Sequence, residues 1–210
     1  MKKTVDILIF DGVEVLDFAG PFEVFGVAGA RPGPAPFDVR TVALDGRPVL
    51  ARNGLSVNQA PAAARDSPDI LVVPGGHGAR REMLNPLTLD YVRQTSARAE
   101  FVLSVCTGSL LLASAGLLEG LYATTHHAAL RELEALRGDF VVLPDARIVD
   151  NGRIVTSSGV SAGIDAALYL VGNLLGLDAA DEAARYMHYD WLYRKPDGGG
   201  VVRAKAHTVR

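Results

Sequence analysis

Residues 101–116 read Phe101-Val102-Leu103-Ser104-Val105-Cys106-Thr107-Gly108-Ser109-Leu110-Leu111-Leu112-Ala113-Ser114-Ala115-Gly116. The first five, apolar but for Ser104, read as a strand that stops at Cys106. From Gly108 to Ala115 small residues and leucines form a helix that Gly116 closes. Between strand and helix stands the chain's single cysteine. The carboxyl ends of parallel strands are where open α/β sheets build their sites.

The same grammar runs outward in both directions. TVDILIF (4–10) and ILVV (70–73) are further buried strands, and residues 37–44 read as another. Pro21 sits where a helix tolerates proline in its first turn, ahead of Phe22, Val24 and Phe25, and Pro86 opens a helix carrying Leu87, Leu89, Tyr91 and Val92. Residues 48–57 form a short hairpin around Asn53-Gly54, and residues 141–157 a second around Asn151-Gly152. Ile164, Ala167, Leu168, Val171 and Leu175 share one helical face. Strands alternating with helices predict an α/β fold, a mostly parallel sheet with helices on both faces.

A chain of 210 residues with 49% hydrophobic and 21% charged residues buries about 70% of its accessible surface in one domain and is neither disordered nor low in complexity. One cysteine makes no internal disulfide, so the expected compartment is the cytoplasm. The longest apolar run, residues 110–118, falls short of the ~20 residues that span a bilayer, so no membrane segment is expected. Residues 194–210 carry five Lys/Arg against one Asp, and the remaining 16 basic and 23 acidic residues give residues 1–193 a charge of −7. The expected division is thus one domain over 1–193 and a basic tail over 194–210. An acidic body without a nucleic-acid motif excludes nucleic acid as partner.

Cys106 reads in two ways. A lone cysteine is commonly a small buried hydrophobe, but a helix N-terminus lowers a thiol pKa below the free value of ~8.5 and favours the nucleophilic thiolate. Gly75 and Gly76 close another buried strand; consecutive glycines either make a simple turn or present backbone N–H groups to a developing oxyanion. Asp17, embedded in apolar sequence after the first strand, is either a helix cap or a buried carboxyl that holds a proton for a thiolate, with Glu14 and Glu23 as rival carboxylates. His126 and His127 stand at the start of a helix with Leu130, Leu133 and Leu136, as a base, an orienter or plain surface residues. The five histidines show no zinc spacing, and no metal is expected.

Four strings taken together resemble one family: SVCTGSLLLASAGLLEGLYATTHH (104–127), VVPGG (72–76), VEVLDFAGPFEVF (13–25) and VTSSGVSAGIDAAL (155–168). The chain resembles the DJ-1/PfpI superfamily, and within it the isocyanide hydratase branch. The resemblance implies a flavodoxin-like three-layer sandwich, a homodimer, and a small-molecule site without metal or organic cofactor. It implies Cys106 as nucleophile, Asp17 as its acidic partner, Thr107 beside the nucleophile, Gly75 and Gly76 as backbone donors, and His126 as an auxiliary. PfpI-type proteases carry a histidine directly after the cysteine; Thr107 in that place argues against a peptidase. Two departures from the hydratases are expected to reshape the pocket. His127 stands where they commonly have tryptophan, and Tyr189-Asp190-Trp191-Leu192-Tyr193 replaces a proline-rich stretch.

The implied reaction is hydration of an isocyanide to an N-formamide through a thioimidate. The alternatives are a DJ-1-type glyoxalase or deglycase and, from another class, a free-standing sensor or stress-protective domain similar to the amino-terminal part of AraC-type regulators.

Overall fold

The computed structural model describes residues 2–29, 35–61, 67–191, 193 and 198–204. The chain order is β1 (Lys3–Leu8), α1 (Val15–Val27), β2 (Phe37–Ala43), β3 (Val49–Leu50), β4 (Ser56–Val57), β5 (Ala60–Pro61) and β6 (Ile70–Val73). Then follow α2 (Ala79–Glu82), α3 (Pro86–Arg98), β7 (Phe101–Val105), α4 (Gly108–Ser114), β8 (Leu121–Ala123), α5 (Leu130–Glu134) and β9 (Phe140–Val142). The remainder is β10 (Ile148–Asp150), β11 (Ile154–Ser157), α6 (Ala162–Leu175), α7 (Leu177–Tyr186) and β12 (Val201–Arg203).

Eight strands form one sheet in the order β12-β10-β11-β7-β6-β1-β2-β5, parallel throughout except between β10 and β11. Helices α1, α6 and α7 cover one face, and α2, α3 and α4 pack together on the other. Covered on both sides, β1, β6 and β7 contribute Val5, Ile7, Ile70, Leu71, Val102 and Leu103 to the core with no exposure at all. Asp6 is tolerated inside β1 because Arg40, its register partner on β2, grips both carboxylate oxygens at 2.8 and 2.9 Å. From β1 the sheet grows one way into β2 and the other way into β6, so the loops beyond these carboxyl ends diverge and leave a crevice.

Three expectations are corrected. Pro21 lies in the interior of α1 rather than in its first turn, because the helix already starts at Val15. The span expected as a hairpin over 141–157 divides: Phe140–Val142 pairs with β8 in a separate two-stranded sheet, and only β10 and β11 form the hairpin around Asn151-Gly152. The body does not end at 193, since Val201–Arg203 adds a parallel edge strand to β10. Val201 and Val202 supply the β-branched pattern that makes this pairing favourable. Residues 194–197 and 205–210 of the basic segment lie outside the described residues.

Candidate active site

At the end of β7 the backbone turns sharply: Cys106 takes φ +56°, a left-handed conformation uncommon for any residue but glycine. The turn lifts the side chain off the sheet end as α4 begins, the strand-to-helix elbow that presents a nucleophile in other α/β proteins. Hydrogen bonds from all sides hold it. The Cys106 N–H donates to the Ser158 carbonyl at 2.9 Å, and the Cys106 carbonyl accepts from the Thr125 hydroxyl at 2.9 Å. The Thr107 amide points at the sulfur and favours its anion.

Asp17 lies in the first turn of α1, fully buried. It is not a cap: Glu14 occupies that place, and the Asp17 Oδ2 accepts the Gly75 N–H from the end of β6 at 3.0 Å. Among the described residues its Oδ1 has no hydrogen bond of ordinary geometry, while the Cys106 thiol and the Val160 amide act on the carboxylate. Burial pushes Asp17 up to about 7, with the nearby Glu14 charge adding to the rise against the Gly75 hydrogen bond. Burial and the Asp17 charge push the Cys106 thiol up to about 12. This reverses the expectation of a thiol below the free value. A seven-residue helix and one amide do not outweigh desolvation and a carboxylate neighbour. The two groups form one coupled pair, whose first proton leaves near neutrality.

The glycine expectation is also corrected. Gly75 and Gly76 are donors, but to the protein itself: Gly75 N–H to Asp17, and Gly76 N–H to the Thr107 hydroxyl at 2.9 Å. A Cβ on Gly75 would stand 2.5 Å from both the Thr107 nitrogen and its hydroxyl oxygen, so only glycine lets the ends of β6 and β7 approach this closely. The Thr107 hydroxyl donates back to the Gly76 carbonyl at 3.2 Å, tying the two loops together.

His126 lies at the rim. Its Nδ1 accepts the Ala128 N–H at 3.2 Å, which leaves the proton of the neutral ring on Nε2, and the ring lies against Gly159, where a Cβ would come within 2.1 Å. Burial and the neighbouring His127 and Arg80 push its pKa down, which disfavours the charged ring. His127 is exposed and lies beside His126, with ring centroids 4.1 Å apart and the planes tilted by 35°. Glu14 reaches the same rim and pairs with Arg52 at 2.6 Å; Glu23 is exposed on α1.

The Tyr189–Tyr193 departure touches this region through Tyr189, which donates to the Ser161 carbonyl and to Asp165. Trp191 is buried, stacked on Tyr193 at 5.3 Å; Leu192 lies outside the described residues. Sequence reasoning missed Thr125, Ser158 and Val160. Val160 takes φ +52°, costly for a branched side chain, and no local composition announces it. A separate cavity of 490 Å³ beside the β1 and β2 ends, lined by Phe10, Asp11, Arg47, Arg81 and Glu82 among others, includes neither Cys106 nor Asp17. Charges in its wall pair with one another, Arg81 with Glu82 and Arg47 with Asp45. Among the described residues no cluster of three or more His, Cys, Asp or Glu could hold a metal, and no helix is long and apolar enough to cross a membrane.

A doubly wound α/β sandwich with a cysteine elbow facing a buried carboxyl is the class that fold and site define. The chain belongs to the DJ-1/PfpI family, whose pattern matches residues 3–173. The isonitrile hydratase of Pseudomonas putida is 37% identical over 191 residues, 90% of this chain and 79% of that protein. A THiJ/PfpI family protein from Pseudomonas syringae superposes with a TM-score of 0.81 at 30% identity, over 90% of this chain and 76% of that one. An HTH-type transcriptional regulator of Pseudomonas aeruginosa is 26% identical over 93% of this chain, which spans 53% of the regulator's length.

Proposed function

We propose that the protein hydrates isocyanides to N-formamides with Cys106 as nucleophile, Asp17 as proton carrier and no cofactor. The observation that carries the reading is the buried contact between the Cys106 thiol and an Asp17 carboxyl raised to about 7. A carboxyl poised near neutrality both takes and returns a proton during one turnover. The sulfur bonds to the terminal carbon of R–NC as its proton passes to Asp17 and from there to that carbon, leaving the thioimidate R–N=CH–S. Water then adds to the carbon and Asp17 relays one of its protons to nitrogen. The C–S bond breaks, the hydroxyl proton returns to the Cys106–Asp17 pair, and R–NH–CHO leaves. The balance is one isocyanide and one water in, one formamide out.

Thr107 serves by holding Gly76, and Gly75 by orienting Asp17. The likeness to the Pseudomonas putida hydratase supports this substrate class. Peptide cleavage is disfavoured because Thr107 stands where the PfpI-type proteases carry a histidine, and its hydroxyl is already bonded to Gly76. The test incubates the purified protein with a hydrophobic isocyanide and detects formamide by chromatography, with methylglyoxal and casein in parallel and Cys106→Ser as control. Formamide that disappears in Cys106→Ser is expected. Cys106-dependent loss of methylglyoxal or casein without formamide moves the chain to the glyoxalase or protease reading, and no turnover of any of the three favours a sensor.

A further inference from the structure

Residues 158–161 touch both halves of the reacting pair: the Ser158 carbonyl accepts the Cys106 N–H, and the Val160 amide acts on Asp17. Between them the backbone passes through the left-handed Val160, a strained conformation for a branched residue that persists only where surroundings impose it. What imposes it lies outside the site. Arg147, on the loop before β10, accepts the Ser158 N–H on its carbonyl at 2.9 Å. Its guanidinium donates to Ser161 Oγ at 3.3 Å and to Asp165 Oδ2 at 2.7 Å, the carboxylate being buried in the first turn of α6. The Arg147 N–H in turn donates to the Gly200 carbonyl at 3.0 Å, which ties it to the edge strand β12. Tyr189 backs the far end through Asp165; burial and that carboxylate push its hydroxyl up to about 12, so it stays a donor.

We infer that Arg147 is a positioning residue of this site: its carbonyl and guanidinium bracket residues 158–161 and hold the Val160 amide against Asp17 and the Ser158 carbonyl against Cys106. The inference rests on Cys106 and Asp17 being the reacting pair, and not on the identity of the substrate. Replacing the Arg147 side chain leaves its backbone bonds to Ser158 and Gly200 in place, so the substitution removes one end of the bracket only. Glu14, itself paired with Arg52, is the other charge that acts on Asp17 and is untouched by the change.

The experiment follows the protonation of Asp17 against pH, by the infrared carbonyl band of its carboxyl identified through its loss in Asp17→Asn, in the wild type, Arg147→Ala, Arg147→Lys, Asp165→Asn and Arg203→Ala. Withdrawal of the Val160 amide from the Asp17 carboxylate moves the inflection to higher pH by up to about one unit. Arg147→Ala and Asp165→Asn are expected to show this shift and Arg147→Lys to recover part of it. Arg203→Ala, which cuts contacts to Tyr169 and Tyr193 on the same sheet edge, leaves the profile unchanged. In the isocyanide assay the same two variants lose about tenfold in kcat with KM held within about twofold. Should Arg147→Ala not fold, Asp165→Asn decides. Wild-type titration curves in the folded variants, or a lower melting temperature without a shifted inflection, overturn the inference. Because this titration needs no substrate, a failed isocyanide assay leaves the outcome readable.

Discussion

The Asp17 carboxyl and the Cys106 thiol meet at the junction of α1, β6 and β7, with one carboxyl oxygen fixed by the Gly75 N–H and the other without a hydrogen bond of ordinary geometry among the described residues.

Iodoacetamide alkylation of Cys106 is expected to stay low through neutral pH and to climb only well above the ~8.5 of a free thiol, because Asp17 is ionised from about pH 7 upward and helps to hold the thiol up at about 12. Asp17→Asn removes that carboxylate and moves the rise to lower pH, leaving a thiol raised by burial alone. A wild-type rise at ~8.5 or below would show the two groups to be uncoupled.

Asp17 also sets a pH dependence of stability. Its folded pKa is raised from 3.8 to about 7, so the folded state holds a proton that the unfolded chain gives up. The contribution is favourable below about pH 4 and is lost as pH rises to about 7, reaching a cost on the order of 4 kcal/mol by pH 8. Asp17→Asn should abolish turnover and raise the melting temperature at pH 8, with little change at pH 4. A lower melting temperature at both values would return Asp17 to a purely structural role.

Thr107→Val keeps the shape and removes the hydroxyl that bonds both the N–H and the carbonyl of Gly76. The expected cost is about 1–2 kcal/mol, read by denaturant unfolding, together with slower turnover as the Gly75–Gly76 turn loosens. Unchanged turnover would show that the tie between the two loops is dispensable.

Arg40→Leu takes the guanidinium away from both oxygens of the Asp6 carboxylate, which lies inside the sheet with 1% exposure. A loss of about 3 kcal/mol or more is expected by urea unfolding, and Asp6→Leu/Arg40→Leu together should recover much of it. A double variant as unstable as the single one would mean that the pair itself, rather than the buried charge, matters.

Leu16 and Phe22 on α1 and Leu50 and Leu55 of the hairpin are exposed at 38–56%. A second copy of the chain is the expected cover, so light scattering should give twice the monomer mass at micromolar concentration, and Phe22→Glu should lower it. A monomer in the wild type would refute this.

The alternation of buried strands and helices, the cysteine elbow and the acidic residue after the first strand were legible in the chain itself. Each is a local matter: periodicity reports which faces are covered, and a small-residue run after Cys106 starts a helix wherever the strand ends. Pro21 misled because a buried helix packed on α6 outweighs the loss of one backbone hydrogen bond. The edge strand at Val201–Arg203 was hidden by its basic surroundings. Which amides face Asp17, where Val160 bends, and that Arg147 reaches Ser161 were decided only when β1, β6, β7 and β11 lined up side by side. The same assembly pushed the Cys106 thiol up rather than down. A pKa depends on what surrounds the sulfur in space, and its carboxylate neighbour lies 89 positions away along the chain, as the numbering of Asp17 and Cys106 shows.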